Sequence, residues 1–223
     1  MYNIFYKRWW KITGLLLVFY AIVGGMILPV PARDILNETI RNLYYHVTMW
    51  FTMIFLLTVS VIYAIKYLRN FEIKYDFISC EINKVAMLFA ILGLVTGMLW
   101  AKFTWGAYWT SDPKLNGVAA ALLVYAAYFL LRNSLDDADK RARFAAVYNI
   151  FAYVMMLVFI LIMPRLTASL HPGNGGNPAF AAYDLDNQMR LVFYPAVLGW
   201  ILVGLWIASL QIRHRFLNQK LLD

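Results

Sequence analysis

The stretch Asn42–Ile65, NLYYHVTMWFTMIFLLTVSVIYAI, decides the fold. Its 24 residues contain no Asp, Glu, Lys or Arg. About 20 helical residues cross a hydrocarbon layer of about 30 Å. Inside that layer every backbone N–H and C=O needs a partner within the protein, which leaves a helix as the way to cross. Five further runs lack the same four residue types: Ile12–Ala32, Val85–Ala101, Leu115–Leu131, Phe144–Pro164 and Leu191–Ile212. The six runs measure 17 to 24 residues. The third and fourth are short, but Lys102 and Lys114 at their outer ends can snorkel, so both still cross. The expectation is an all-α fold, an integral membrane bundle of six transmembrane helices.

Composition agrees. The chain is 62% hydrophobic and 14% charged, with a mean hydropathy of +0.61. A soluble domain of this size shows more polar surface to water. Of the 20 Lys and Arg, 14 fall on the side of the two termini and 6 on the other. The positive-inside rule then places both termini in the cytoplasm. The net charge of +8 is a topology signal on this view, with no nucleic acid partner implied. Residues 1–223 read as a single membrane domain without internal repeats. The first helix is expected to stay as an anchor, since no small-residue cleavage site stands out. Cys80 is the single cysteine, which excludes an internal disulfide, a CxxC redox pair and covalent haem on a CxxCH motif. The absence of a P-loop assigns any ATP use to a partner.

Ser134–Lys140 reads as the capped start of a helical extension into the fifth helix, with a solvated turn as the competing reading. Three segments connect helices on the outer side: Pro31–Arg41, the aromatic loop Trp105–Leu115, and Arg165–Arg190. The last carries a Gly/Pro/Asn run, Pro172–Pro178, that breaks regular structure. Of three histidines, His214 lies between Arg213 and Arg215 as a solvated basic residue. His46 and His171 fall on the outer side with the aromatic loop between them in sequence. Haem iron takes two axial imidazoles, its porphyrin plane suits aromatic walls, and its propionates need cations. Arg41, Lys114, Arg165 and Arg190 lie on that side. Plainer readings stand beside these. A histidine at a helix end is often an interfacial polar residue. Trp100, Trp105, Tyr108 and Trp109 suit an interfacial aromatic belt. Asp112 before Pro113 suits a turn and a cap for the fourth helix.

The run Trp105-Gly106-Ala107-Tyr108-Trp109-Thr110-Ser111-Asp112-Pro113-Lys114-Leu115 resembles the WWD signature of cytochrome c assembly proteins, roughly W-G-x-W-W-x-W-D-x-R-L. Arg41-Asn42-Leu43-Tyr44-Tyr45-His46 resembles the run before that family's second helix, and Leu170-His171 its second ligand loop. With six helices over about 220 residues, the whole chain is similar to the haem exporter protein C family, with the WWD loop at about 102–115.

This resemblance implies a haem-handling protein of cytochrome c maturation in the bacterial inner membrane. Haem of the b type is then held at the periplasmic face by His46 and His171 as axial ligands to iron. Trp105, Tyr108 and Trp109 form the platform, Asp112 orients the loop or the partner, and Arg41, Lys114 and Arg190 complete the cofactor site. The implied partners are a periplasmic haem chaperone, the subunits of an ABC transporter, a small membrane subunit and the lipid bilayer. Transfer is coordination chemistry, with no catalytic acid or base. Tyr108, Ser111 and Lys114 depart from the family pattern, and a lysine cannot repeat a bidentate arginine contact. A short relative of the WWD cytochrome c synthases and a b-type cytochrome subunit are the alternatives. The synthases use a second histidine pair for which this chain has no residues. A transporter path is disfavoured because the six runs hold no ionisable residue apart from His46, and a pure scaffold is disfavoured by the aromatic loop. Iron ligation needs neutral imidazole, so haem retention should fall as pH drops through about 6.5, histidine's reference pKa.

Overall fold

The computed structural model describes residues 6–32, 35–171 and 185–220. Helix α1 is Trp9–Ile27, followed by a 3-10 segment at Asn37–Asn42. Then come α2 (Leu43–Asn70), α3 (Ile73–Trp105), α4 (Pro113–Asn133) and α5 (Ala138–Leu157). A π-helical stretch, Val158–Ile162, carries α5 into the short α6 (Met163–Leu166). The last helix, α7, is Asn187–Lys220. Among the described residues, six segments are long and apolar enough to cross a membrane and none forms a strand. The all-helical, six-span expectation is met. The Pro172–Pro178 run lies outside the described residues.

The helices do not end where the charges begin. Val85–Ala101 was the expected third span, but α3 runs for 33 residues. Its polar first turns stay helical because Asp76 and Glu81 find partners there. Arg132 of α4 grips Asp76 with two bonds of 2.6 and 2.5 Å, and Lys84 donates to Glu81 at 2.8 and 3.0 Å. Between the uncharged runs Asn42–Ile65 and Val85–Ala101, only Phe71–Glu72 lies outside the helices, with Phe71 left-handed at φ 54°. Conversely, α1 stops at Ile27, short of the expected Ala32, ahead of Pro29 and Pro31, which cannot continue a helix. Ser134–Lys140 resolves as a capped start: Asp137 accepts from the Lys140 N–H at 2.7 Å and α5 begins at Ala138.

Lipid tails are as apolar as leucine, so close backbone approach and polar contacts hold such a bundle together. Helices α1 and α7 run antiparallel with Gly14 against Leu202 and Gly199 against Leu17. Across α2 and α3, Ser60 and Ser79 each donate to the other's carbonyl, and Asn149 of α5 donates to both hydroxyls. Met53, Leu56, Leu57, Ala86, Phe89 and Met156 fill the centre. This antiparallel order brings the start of α2, the end of α3, the start of α4 and the end of α6 to one end of the bundle. The Asp76–Arg132 pair marks the opposite end.

Candidate functional site

His46 lies one turn into α2. Asn42 pins that entry by donating to the Thr96 carbonyl at 2.9 Å. The His46 Nδ1 is 2.9 Å from the carbonyl oxygen of Gly93. A carbonyl only accepts, so Nδ1 carries the proton and Nε2 keeps its lone pair. The ring has room because residue 97 is glycine: a Cβ there would stand 2.5 Å from His46 Cε1. One turn away, Gly93 leaves the matching space for Trp50. Trp50 and Trp100 meet the imidazole edge-on, with centroids 6.1 and 5.9 Å away. Trp100 is anchored in turn, donating to the Thr39 hydroxyl at 3.2 Å.

His171 is held differently. Asp112 is the N-cap of α4, accepting from the Lys114 N–H at 2.9 Å. It also accepts from the Ser169 hydroxyl at 2.8 Å, the Leu170 N–H at 2.6 Å and His171 Nδ1 at 2.9 Å. Burial works against ionisation of Asp112. The bonds from His171, Leu170 and Ser169 outweigh it and hold the carboxyl well below the usual carboxylate range. An ionised carboxylate only accepts, so His171 also directs an Nδ1–H at its partner, and Nε2 is the nitrogen left to ligate when the ring is neutral. Trp105 stands edge-on to this ring at 4.8 Å.

The aromatic loop leaves α3 through Gly106, left-handed at φ 82° with open space around it. Lys102 donates to the Gly106 carbonyl at 2.9 Å and lies over the Tyr108 ring at 5.7 Å. Tyr108 and Trp109 are 52% and 41% exposed, and Trp109 donates to Asn116 at 3.2 Å.

The sequence-predicted residues thus fall into groups. The charges of His171 and Lys114 act on His46, which puts both at the same end of the bundle as that ring. Trp105 and Asp112 flank His171, while Tyr108 and Trp109 form an exposed rim. Arg41 ties the end of α1 to α2, donating to the Gly25 and Leu28 carbonyls at 2.8 and 2.6 Å and to Glu38 at 2.6 Å. Arg190 is half-buried in the first turn of α7. Gly93, Gly97, Trp50 and Ser169 were not singled out from sequence. The signal for three of them was present: Gly93 and Gly97 repeat at one turn on α3, as His46 and Trp50 do on α2. Among the described residues no group of three or more His, Cys, Asp and Glu could hold a bare metal ion. The donor chemistry at this end is that of two imidazoles, each with Nδ1 committed to an acceptor, among aromatic rings, which fits a metalloporphyrin.

Comparison with known proteins points the same way. A stretch of 92 residues is 35% identical to the cytochrome c biogenesis protein CcsA of Pelargonium hortorum, covering 41% of this chain and 29% of that one. Over 88 residues the chain is 32% identical to the CcsA protein of Prochlorococcus marinus strain MIT 9303, covering 40% and 28%. It is 36% identical over 66 residues to the heme exporter protein C of Bradyrhizobium diazoefficiens, covering 30% and 25%. The chain therefore spans between a quarter and a third of the length of these relatives. The family model for heme exporter protein C matches residues 2–222, and the chain belongs to that family.

Proposed function

We propose that this protein holds haem between His46 and His171 and hands it on during cytochrome c maturation. The observation that carries the reading is the matched tautomer of the two histidines. Each commits Nδ1 to an acceptor that cannot donate, Gly93 O or ionised Asp112, and each leaves Nε2 available. An imidazole oriented by its other nitrogen is the usual form of a metal-ligating histidine. Haem is the cargo here, and it supplies the iron and the reactive vinyl groups.

The chain's own residues would bind, orient and release it. Trp50, Trp100 and Trp105 provide apolar edges around the two rings. Lys114 and Arg190 are the cations proposed for the propionates, with Arg41 contributing from the α1 side. Exposed Tyr108 and Trp109 offer a flat rim where a receiving protein can approach. Asp112 contributes by keeping His171 in one tautomer and by tying residues 169–171 to the start of α4. We assign the site to the periplasmic face of the bacterial inner membrane, on the strength of the Lys/Arg asymmetry. The partners proposed are a periplasmic haem chaperone as acceptor, with ABC transporter subunits and a small membrane subunit alongside. The cargo is proposed to be haem b.

The test is the absorption spectrum of the protein purified from haem-replete cells, beside His46→Ala and His171→Ala. A bis-imidazole spectrum lost or shifted in both variants supports the reading. A spectrum indifferent to both substitutions, or a haem-free wild type, refutes it.

A further inference from the structure

A cavity of about 320 Å³ opens at the end of the bundle opposite His46 and His171. That is the lower end of the size range of small-molecule sites. It lies where α3 begins and α4 ends, beside the start of α5 and the last turns of α7. Four cations line it: Lys84, Arg132, Arg141 and Arg215. Two of them are already neutralised, Arg132 by Asp76 and Lys84 by Glu81. Arg141 and Arg215 are different. Neither has a carboxylate within ion-pair distance among the described residues. Arg141 donates to the Leu135 carbonyl at 3.3 Å, and the Arg215 guanidinium lies over the Phe77 ring at 5.0 Å.

We propose that this cavity takes the phosphodiester headgroup of an anionic phospholipid. Three features select that ligand. Guanidinium forks match phosphate oxygens in shape as well as charge. The acids of the cavity, Glu81 and Asp136 in its wall and Asp76 behind Arg132, leave one positive charge in excess. One charge balances a phosphodiester and falls short of a nucleoside polyphosphate. Phe77 and Phe129 add apolar wall, which suits a ligand that continues into acyl chains. The setting is also right: basic pockets between transmembrane helices at the positively charged face recognise anionic lipid headgroups.

The experiment uses the full chain in non-ionic detergent and follows its thermal unfolding. The additions are dioleoyl phosphatidylglycerol, dioleoyl phosphatidylcholine with the same tails, and sodium phosphate. Phosphatidylglycerol should raise the unfolding temperature and the other two should not. Arg141→Gln/Arg215→Gln should weaken the apparent phosphatidylglycerol affinity by about tenfold or more, the scale of one charge-assisted hydrogen bond. Equal stabilisation by phosphatidylcholine would mean tail solvation only, and would overturn the proposal. Stabilisation by sodium phosphate alone would make free phosphate the ligand and overturn the lipid source. Arg215 is exposed, so Arg215→Gln alone should fold normally. Native mass spectrometry of that variant should retain less phosphatidylglycerol than wild type, and unchanged retention would also overturn the proposal.

Discussion

At the residue scale, two positions give the clearest tests. Gly97 leaves no space for a Cβ beside His46, so Gly97→Ala must displace the imidazole from the Gly93 carbonyl or push α3 away from α2. We expect Gly97→Ala to weaken haem retention at least as much as loss of one ligand, read from the absorption spectrum, while the far-ultraviolet dichroism stays helical. Asp112→Asn separates two roles. Asparagine still caps a helix well, so α4 should start as before. It cannot offer His171 an ionised acceptor, so the haem spectrum should shift and retention should fall. The pH dependence has a definite sign. Asp112 titrates below its unfolded value, so its stabilising contribution is complete above about pH 4 and is lost as pH falls through the folded value. The wild-type unfolding temperature should therefore drop more steeply than that of Asp112→Asn below about pH 4. Parallel curves would count against the contact. His46 and His171 could be picked out in sequence because histidine is scarce and both lie on one side of the apolar runs. What sequence could not supply was which ring nitrogen each would present, since that depends on a carbonyl 47 residues away and a carboxylate 59 residues away.

At the scale of elements, the six spans were legible because the absence of charge over about 20 residues is a strong signal in itself. The ends were less so. A charge marks where lipid ends, but a helix continues as long as its backbone bonds are made and its side chains find partners. That is why α3 extends back to Ile73 through Asp76 and Glu81. The π-helical stretch at Val158–Ile162 was also beyond reach, because an extra residue in a helical turn leaves no compositional mark. It brings the Phe159 carbonyl against Gly117, where a Cβ would stand 2.4 Å from that oxygen. The obstructing atom is backbone, so it cannot swing aside. Gly117→Ala should cost about 1–3 kcal/mol, the usual range for overpacking, measured by thermal unfolding. The same change should disturb residues 169–171 and with them the haem spectrum.

At the scale of the whole molecule, the two ends of the bundle should respond separately. The Asp76–Arg132 pair is almost fully buried, at 4% and 8% side-chain exposure. Asp76→Asn leaves Arg132 buried without its counter-charge and should destabilise the protein by about 3–5 kcal/mol. Replacing both residues with apolar ones of similar volume should cost much less. Neither change should move the haem absorption maximum, because neither touches the histidine end. A spectral shift in Asp76→Asn would show that the ends are coupled. The pair itself could not be inferred from sequence, since Asp76 and Arg132 each look like an ordinary solvated flank residue.

The grooves cut by Gly93 and Gly97 also bear on how related sequences can diverge. Trp50 over Gly93 is a matter of volume: a smaller residue at 50 can be offset by a larger one at 93, and the two positions are free to drift together. His46 over Gly97 allows no such exchange, because bulk moved to position 97 would cost the imidazole its seat. Across many relatives, positions 50 and 93 should trade size while 46 and 97 stay locked. The contrast would distinguish a packing contact from a ligand seat without any protein being purified.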